Sequence, residues 1–331
     1  MKKVFIPVII GLILFFTLGP SPQAPTLDRG VIWKNIPDSL PALSKYLQNK
    51  EASFPQIKPN NEAKIVWADS LNPQKTKWVF MYVHGFSASQ MEGNPVHRQI
   101  AKTFGANLLL TRVAGHGFAT SDSVLQHVTA DDYYESVENQ LALAKKMGEN
   151  VIVLATSFGG ALSLSLASRH PEIKALLLYS PCIAIADPAA VLMDNPWGLQ
   201  LARKVVGGDH RDIPAKNSAH NQYWNLHYRL EGAVELQNFL TNQMTDEVFE
   251  QVKCPVFMGY YYKDDAHQDP VVSVKAMRHM FPYLGTSPAQ KKEMAFPLAE
   301  NHVITSDILA KRTDLPLKAS IQFLKEIVHL P

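Results

Sequence analysis

The stretch LATSFGGALSLSLASRH, residues 154–170, turns from an apolar run into small, helix-compatible residues at a single hydroxyl, Ser157. A serine on a sharp bend between a strand and a helix can be held out as a nucleophile, or it can merely satisfy backbone donors of the turn. ATSFGG is a small-x-Ser-x-Gly-Gly form of the G-x-S-x-G turn, with Ala155 at the leading glycine. Large side chains two residues either side of the serine would collide in such a turn, and Ala155 and Gly159 remove that collision. The turn also opens a helix, whose free N–H groups favour a developing negative charge.

An acyl-transfer centre needs two such N–H donors. Phe158, directly after the serine, offers one. Phe86, in the loop after His84-Gly85 at the end of the run WVFMYV, offers the other. HG is also a common strand-ending dipeptide, and His84 can serve only to orient that loop.

A serine must shed its proton to attack, and a histidine near neutral pKa is the usual base. Of the 12 histidines, His302 in ENHVITSD lies in a loop after a late short strand, beyond Ser157 and the candidate acids. That order is Ser, acid, His. His97 and His170 fall within or at the end of helices and read as solvated. His116, in AGHGF, reads as shaping the rim of a pocket. YYYKDDAHQDPVV offers Asp264, Asp265 and Asp269 as the acid. Counting from the start of the preceding strand points to Asp264. Counting back from the next helix points to Asp269, in an Asp-x-Val-Val context where the valines would pack down and fix the carboxylate. Asp269 is preferred and Asp264 stays as the alternative.

The elements that must position these groups are legible as runs. KIVWAD (64–69), WVFMYVHG (78–85), ANLLLTRV (106–113), VIVLAT (151–156), IKALLLYSP (173–181), CPVFMGYYY (254–262) and KKEMAFPL (291–298) read as strands. Helical spacing is expected over 90–104 after Pro95, over 131–148 with acids first and Lys-Lys-Met-Gly last, over the segment following Ser157, and over the closing LPLKASIQFLKEIV. Strands alternating with helices predict an α/β domain with a mostly parallel sheet covered on both faces. Residues 25–60, rich in Pro, Ser and Asn, read as an extended leader. Between 183 and 250 no apolar run resembles a core strand, yet Leu192, Met193, Trp197, Tyr223, Trp224 and Tyr228 are scattered through polar sequence. That segment reads as an inserted cap or lid, leaving 61–182 and 251–331 as the core.

The 331 residues are 46% hydrophobic and 19% charged, with 32 basic against 30 acidic side chains. The balance fits a well-packed globule, and with no run of five like charges nothing points to a nucleic-acid partner, so none is expected. Cys182 and Cys254 form no C-x-x-C pair and read as buried free thiols. No recurrent His/Asp ligand spacing marks a metal site, and no Gly-rich phosphate loop or dinucleotide fingerprint follows the first strands, so neither metal nor cofactor is expected. Residues 1–24 open with two lysines and an apolar stretch, Val4 to Gly19, and read as a signal peptide or an N-terminal membrane anchor. Export is therefore expected, to a periplasmic, membrane-anchored or secreted location.

The stretches YVHGFSAS (82–89), RVAGHG (112–117), ATSFGG (155–160), YSP (179–181), CPVFMGYYYKD (254–264) and NHVITSD (301–307) together resemble the α/β-hydrolase superfamily, particularly its carboxylesterase, monoglyceride lipase and lysophospholipase-like branch. The resemblance runs from about residue 78 to the C-terminus. It implies an eight-stranded, mostly parallel sheet with a helical cap inserted after the sixth strand. It also implies Ser157 as nucleophile, His302 as base, an aspartate holding His302, and the Phe86 and Phe158 amides as oxyanion hole. Ala155 departs from the usual leading glycine but is still small. The expected activity is serine hydrolysis of small carboxylic esters, acyl-glycerols or lysophospholipids among them. The aromatic and aliphatic residues of 183–250 point to an apolar acyl chain. The same scaffold could act on a peptide, lactone or C–C bond, or could bind without catalysis.

Overall fold

The computed structural model describes residues 17–331. All seven apolar runs become strands of a single sheet. In chain order, the elements up to the serine turn are helix α1 (Leu40–Ala52), β1 (Lys64–Val66), β2 (Thr76–Val83), α2 (Val96–Thr103), β3 (Asn107–Leu110), α3 (Ala130–Met147), β4 (Gly148–Thr156) and α4 (Phe158–Arg169). β5 (Ala175–Tyr179) then leads into the long insertion. This holds α5 (Gly198–Val206), β6 (His210–Asp212), α6 (Ser218–Tyr223), β7 (His227–Arg229) and α7 (Leu230–Gln243). α8 (Asp246–Gln251) returns the chain to β8 (Val256–Tyr260). A small hairpin of β9 (Tyr262–Asp264) and β10 (His267–Gln268) follows, then α9 (Val274–Tyr283), β11 (Lys291–Ala295) and α10 (Asp314–Glu326).

The strand order is β1-β3-β2-β4-β5-β8-β11, parallel throughout except for β1, which runs antiparallel to β3. Alternation along β2 divides the core. Val79, Met81 and Val83 join the side that carries α3, α4 and α9, while Phe80 and Tyr82 join the side that carries α2 and α10. Both faces are covered, so the central strands are apolar without interruption.

One expectation about the sheet is corrected: it has seven strands among the described residues, where the resemblance implied eight, and the insertion follows β5, the sixth position once the absent strand is counted ahead of β1. Where a further edge strand would precede β1, the chain forms α1, so the leader is not wholly extended. α1 buries Leu43, Leu47 and Glu51. The Glu51 carboxylate accepts from Arg112 Nε at 2.6 Å and Nη2 at 3.0 Å, and from the Ala63 N–H at 2.9 Å. That buried ion pair ties the helix beside the three-residue edge strand. The expected signal or anchor lies mostly outside the described residues, and among those described no helix is long and apolar enough to cross a membrane.

The insertion is clamped to the core on two sides. At its start, Ala186 N donates to Val271 O at 3.0 Å and Ser273 N to Ala184 O at 2.9 Å. Further on, the buried Asn225 side chain accepts from Gly117 N at 3.1 Å and donates to Phe118 O at 2.7 Å, while Lys58 Nζ donates to Trp224 O at 2.8 Å.

Candidate active site

Ser157 stands between β4 and α4 at φ 54° and ψ −122°, a left-handed conformation costly for a residue with a side chain. The turn is locked by Ser157 N donating to Tyr179 O at 3.0 Å, and by Gly160 N and Cys182 N donating to Ser157 O, both at 2.9 Å. Gly159 is required here: a Cβ on it would stand 2.3 Å from Val83 O and 2.6 Å from His84 O. Closeness of α4 to the end of β2 therefore depends on that glycine.

That close approach places Phe158 N–H and Phe86 N–H on two adjacent loops. Among the described residues neither N–H donates to a backbone or side-chain acceptor. The Phe86 loop is held by His84, whose Nδ1–H donates to Gly85 O at 2.8 Å while Nε2 accepts from Val113 N at 3.0 Å. Burial holds this imidazole neutral, well below the ordinary histidine pKa. His116 does not form a pocket rim. It is fully buried, stacked edge-on against Phe86 with ring centroids 5.4 Å apart. His97 is also buried, where a solvated residue was expected, with Nε2 2.8 Å from Gln90 O and its ring 4.8 Å from that of Tyr82. α2 presents it to the core beside Val96 and Ile100. His170 is half-buried against Glu138 Oε1 at 2.9 Å.

His302 follows β11 and donates from Nδ1 to Asp269 Oδ2 at 2.7 Å. Asp269 is 3% exposed, and its other oxygen accepts from Val271 N at 2.9 Å and Val272 N at 3.1 Å. The amides of the valines hold the carboxylate; packing by both side chains was expected, but Val271 is 48% exposed. Burial raises the Asp269 pKa, but His302 and those two N–H groups outweigh it, leaving it below the ordinary carboxylate value. For His302, burial acts to lower the pKa, yet Asp269 and, more distantly, Glu92 raise it above the ordinary value, against a small opposing effect of Lys216.

Asp264 is not brought to His302. It caps the β9–β10 turn, accepting from His267 Nδ1 at 2.7 Å and from the N–H groups of Ala266 and His267. Asp265 accepts from the Tyr262 hydroxyl at 2.9 Å. The hairpin explains why the two ways of counting disagreed. It loops out after β8, and Asp269 N then donates back to Tyr261 O at 3.1 Å, so Asp269 starts again where the strand ended.

Ser157, His302 and Phe86 line one cleft of about 590 Å³ at the carboxyl ends of the parallel strands. The insertion contributes Ile213, Trp224, Tyr228 and Leu236 to its walls, with Arg211 and Lys216 as its cationic groups. Glu92 and Cys182 line it from the core. Sequence reasoning did not single out Glu92; its only signal was an acid shortly after the HGF loop. Burial pushes the Cys182 thiol up to about 12, so it stays protonated and inert. Cys254 is half-buried and likewise a free thiol. A second cavity of about 430 Å³ lies against α1 and holds no serine–histidine pair.

Among the described residues, Asp122, His210 and His227 bring possible metal-ligand atoms within 4.8 Å of one another. Their two imidazoles are stacked, 4.4 Å apart and 15° from parallel. In-plane lone pairs on parallel rings do not converge on one ion, so the set does not form a tetrahedral site.

A sequence model of the alpha/beta hydrolase fold matches residues 79–272, a span containing Phe86, Ser157 and Asp269. The thermostable monoacylglycerol lipase of Bacillus sp. (strain H-257) is 27% identical over 192 residues, which cover 57% of this chain and 71% of that protein. One of the metagenome-derived lipolytic enzymes LipS and LipT shares the fold at a TM-score of 0.65 and 18% identity, over 82% of this chain and 100% of that one. Est1E of Butyrivibrio proteoclasticus, with ferulic acid bound, gives 0.56 at 17% identity, over 81% and 95%. At such identities the structural likeness is one of fold, and a fold hosts many reactions.

Proposed function

The chain belongs to the alpha/beta hydrolase fold family, and on that premise we propose that it is a serine hydrolase of carboxylic esters. The observation that carries this reading is the His302 Nδ1–Asp269 Oδ2 bond of 2.7 Å on the wall of the cleft that also holds Ser157 on its left-handed turn. Asp269 fixes the tautomer in which His302 Nε2 is the free base. Nε2 takes the Ser157 proton as Oγ attacks the ester carbonyl. Charge gathers on the carbonyl oxygen, where the Phe86 and Phe158 N–H groups receive it. Collapse expels the alcohol with the proton from His302, leaving an acyl-serine. Water, deprotonated by His302, then attacks the acyl carbon, and the acid leaves as Ser157 regains its proton.

The walls from Ile185, Ile213, Trp224, Tyr228 and Leu236 support an apolar acyl chain, with 183–250 acting as the cap over it. Monoacylglycerol and similar small acyl esters fit that description and agree with the name of the Bacillus relative. Export, with residues 1–24 as signal or anchor, belongs to the same proposal; a C-terminally tagged chain recovered only from the cytosolic fraction would contradict it. The activity is tested with p-nitrophenyl esters of increasing chain length. Wild type should turn them over with a preference for acyl chains longer than acetyl, and Ser157→Ala should be inactive while melting like wild type. Retained turnover in Ser157→Ala would remove the serine from the mechanism.

A further inference from the structure

One carboxyl on the cleft wall, Glu92, is buried and has no part in the scheme above. Glu92 is 2% exposed, and the charged group that acts on it is His302, with no lysine or arginine ion pair to it among the described residues. A buried carboxyl without a permanent cation is expensive to retain, so its contacts need a reason. They lie on the reacting loop. Glu92 Oε2 accepts the Gly85 N–H at 2.5 Å and the Tyr82 hydroxyl at 3.3 Å. The oxygen of the same hydroxyl lies 3.0 Å from Thr156 Oγ1, whose own hydroxyl can donate to it, one residue before Ser157. Gly85 separates the carboxyl from the serine: a Cβ there would lie 2.9 Å from Glu92 Oε1 and 2.8 Å from Ser157 Cβ.

Gly85 is thereby held at both of its peptide groups. Glu92 holds its N–H, and His84 Nδ1–H holds its carbonyl at 2.8 Å. That carbonyl shares a peptide plane with the Phe86 N–H, so fixing it fixes the direction of the N–H. The short 3₁₀ turn Gln90–Gly93 that carries Glu92 is also tied to the loop after His302. Thr305 Oγ1 donates to Glu92 O at 3.2 Å, Ser306 Oγ to Met91 O at 3.1 Å, and Asp307 N to Asn94 O at 3.1 Å.

We infer that Glu92 is a positioning residue: its carboxylate fixes the His84–Gly85 peptide, which together with the His84 Nδ1–H on the Gly85 carbonyl sets the following Gly85–Phe86 peptide so that the Phe86 N–H meets the developing oxyanion, and its turn locks that loop to the one bearing His302. The inference rests on the serine-hydrolase reading. It requires reach more than charge, since an amide oxygen can also accept from Gly85 N–H. Burial pushes the carboxyl up to about 7, with Gly85 N–H acting against it, so a neutral replacement is tolerable at this position.

Two conservative variants separate reach from charge. Glu92→Gln keeps the acceptor and loses the charge, whereas Glu92→Asp keeps the charge and retracts the acceptor by one methylene. With p-nitrophenyl esters, Glu92→Gln should stay within about 5-fold of wild-type kcat, and Glu92→Asp should lose about 10- to 100-fold with KM within about 3-fold, less than the loss of a whole oxyanion donor. A trifluoromethyl ketone, whose adduct carries the oxyanion, should weaken in the Asp variant in proportion to kcat. Wild-type kcat in both variants, or a Gln variant worse than Asp, overturns the inference. Ser157→Ala is measured in parallel. If it stays active, the serine-hydrolase reading has failed; if it is dead while both Glu92 variants run normally, only the Glu92 inference has.

Discussion

The N–H of Asp269 donates to the carbonyl of Tyr261 at 3.1 Å, across the excursion of residues 262–268. This bond returns the chain to the end of β8 after the hairpin and delivers the Asp269 carboxylate to His302 at 2.7 Å. Two aspartates of the same loop thus have opposite fates. Asp264 is exposed and serves the hairpin turn, whereas Asp269 is buried and serves the imidazole.

Asp264→Asn and Asp265→Asn should therefore leave kcat within about 2-fold of wild type, since each touches only the hairpin. Asp269→Asn should lower kcat by about 10⁴-fold, as expected when the imidazole loses the partner that sets its tautomer. Steady-state kinetics on one ester distinguishes them, and a large loss in Asp264→Asn would reverse the assignment.

The pH dependence follows from His302. Only its neutral form can accept the serine proton, and Asp269 holds its pKa above the ordinary value. Activity should then fall as pH drops through a midpoint above about 6.5, the ordinary histidine value. Asp269→Asn removes the anion that raises this pKa, so its residual kcat/KM should have an acid limb at lower pH. Lys216→Ala removes an opposing cation and should move the limb slightly upward. Profiles of kcat/KM against pH read all three.

Gly159→Ala places a methyl against the carbonyls of Val83 and His84, and backbone cannot give way as a flexible side chain can. It should destabilise the protein by about 1–3 kcal/mol or more. Thermal melting measures that, and ester turnover should fall with it because β2 and α4 are forced apart at the two amide-bearing loops.

Asn225→Ala leaves the Gly117 N–H and the Phe118 carbonyl without their partner at a 1%-exposed position. A cost of about 1–3 kcal/mol per unsatisfied buried group is expected. Limited proteolysis should cut first within 183–250, where the clamp is lost; an unchanged pattern and melting point would show that the insertion is held by other contacts.

How far the sequence could be read depends on what buries each element. The central strands announce themselves because both sheet faces are covered and their inner residues are apolar, as in Ile152 to Ala155, whereas the edge strand β11 (Lys291–Ala295) shows only a short apolar end. Helix α1 does not, because its buried stripe includes Glu51, a carboxylate that is inside only through Arg112, sixty-one residues away in the chain. His97 was misread for a similar reason: its place beside Tyr82 depends on how α2 docks on the sheet. Ser157 and His302 could be singled out as candidates from local pattern and chain order, and the fold brings both to one cleft. The choice between Asp264 and Asp269 could not be closed, because it turns on a hairpin whose register appears only in three dimensions. Glu92 is the extreme case, a lone acid whose burial leaves no mark on the sequence.

The central claim is that Ser157 attacks and His302 activates it. Intact-mass analysis after incubation with a fluorophosphonate tests both at once. A single phosphonyl adduct on Ser157 should form in wild type, be absent in Ser157→Ala, and form far more slowly in His302→Ala. An adduct that persists in Ser157→Ala, or that forms at the wild-type rate in His302→Ala, would contradict the account.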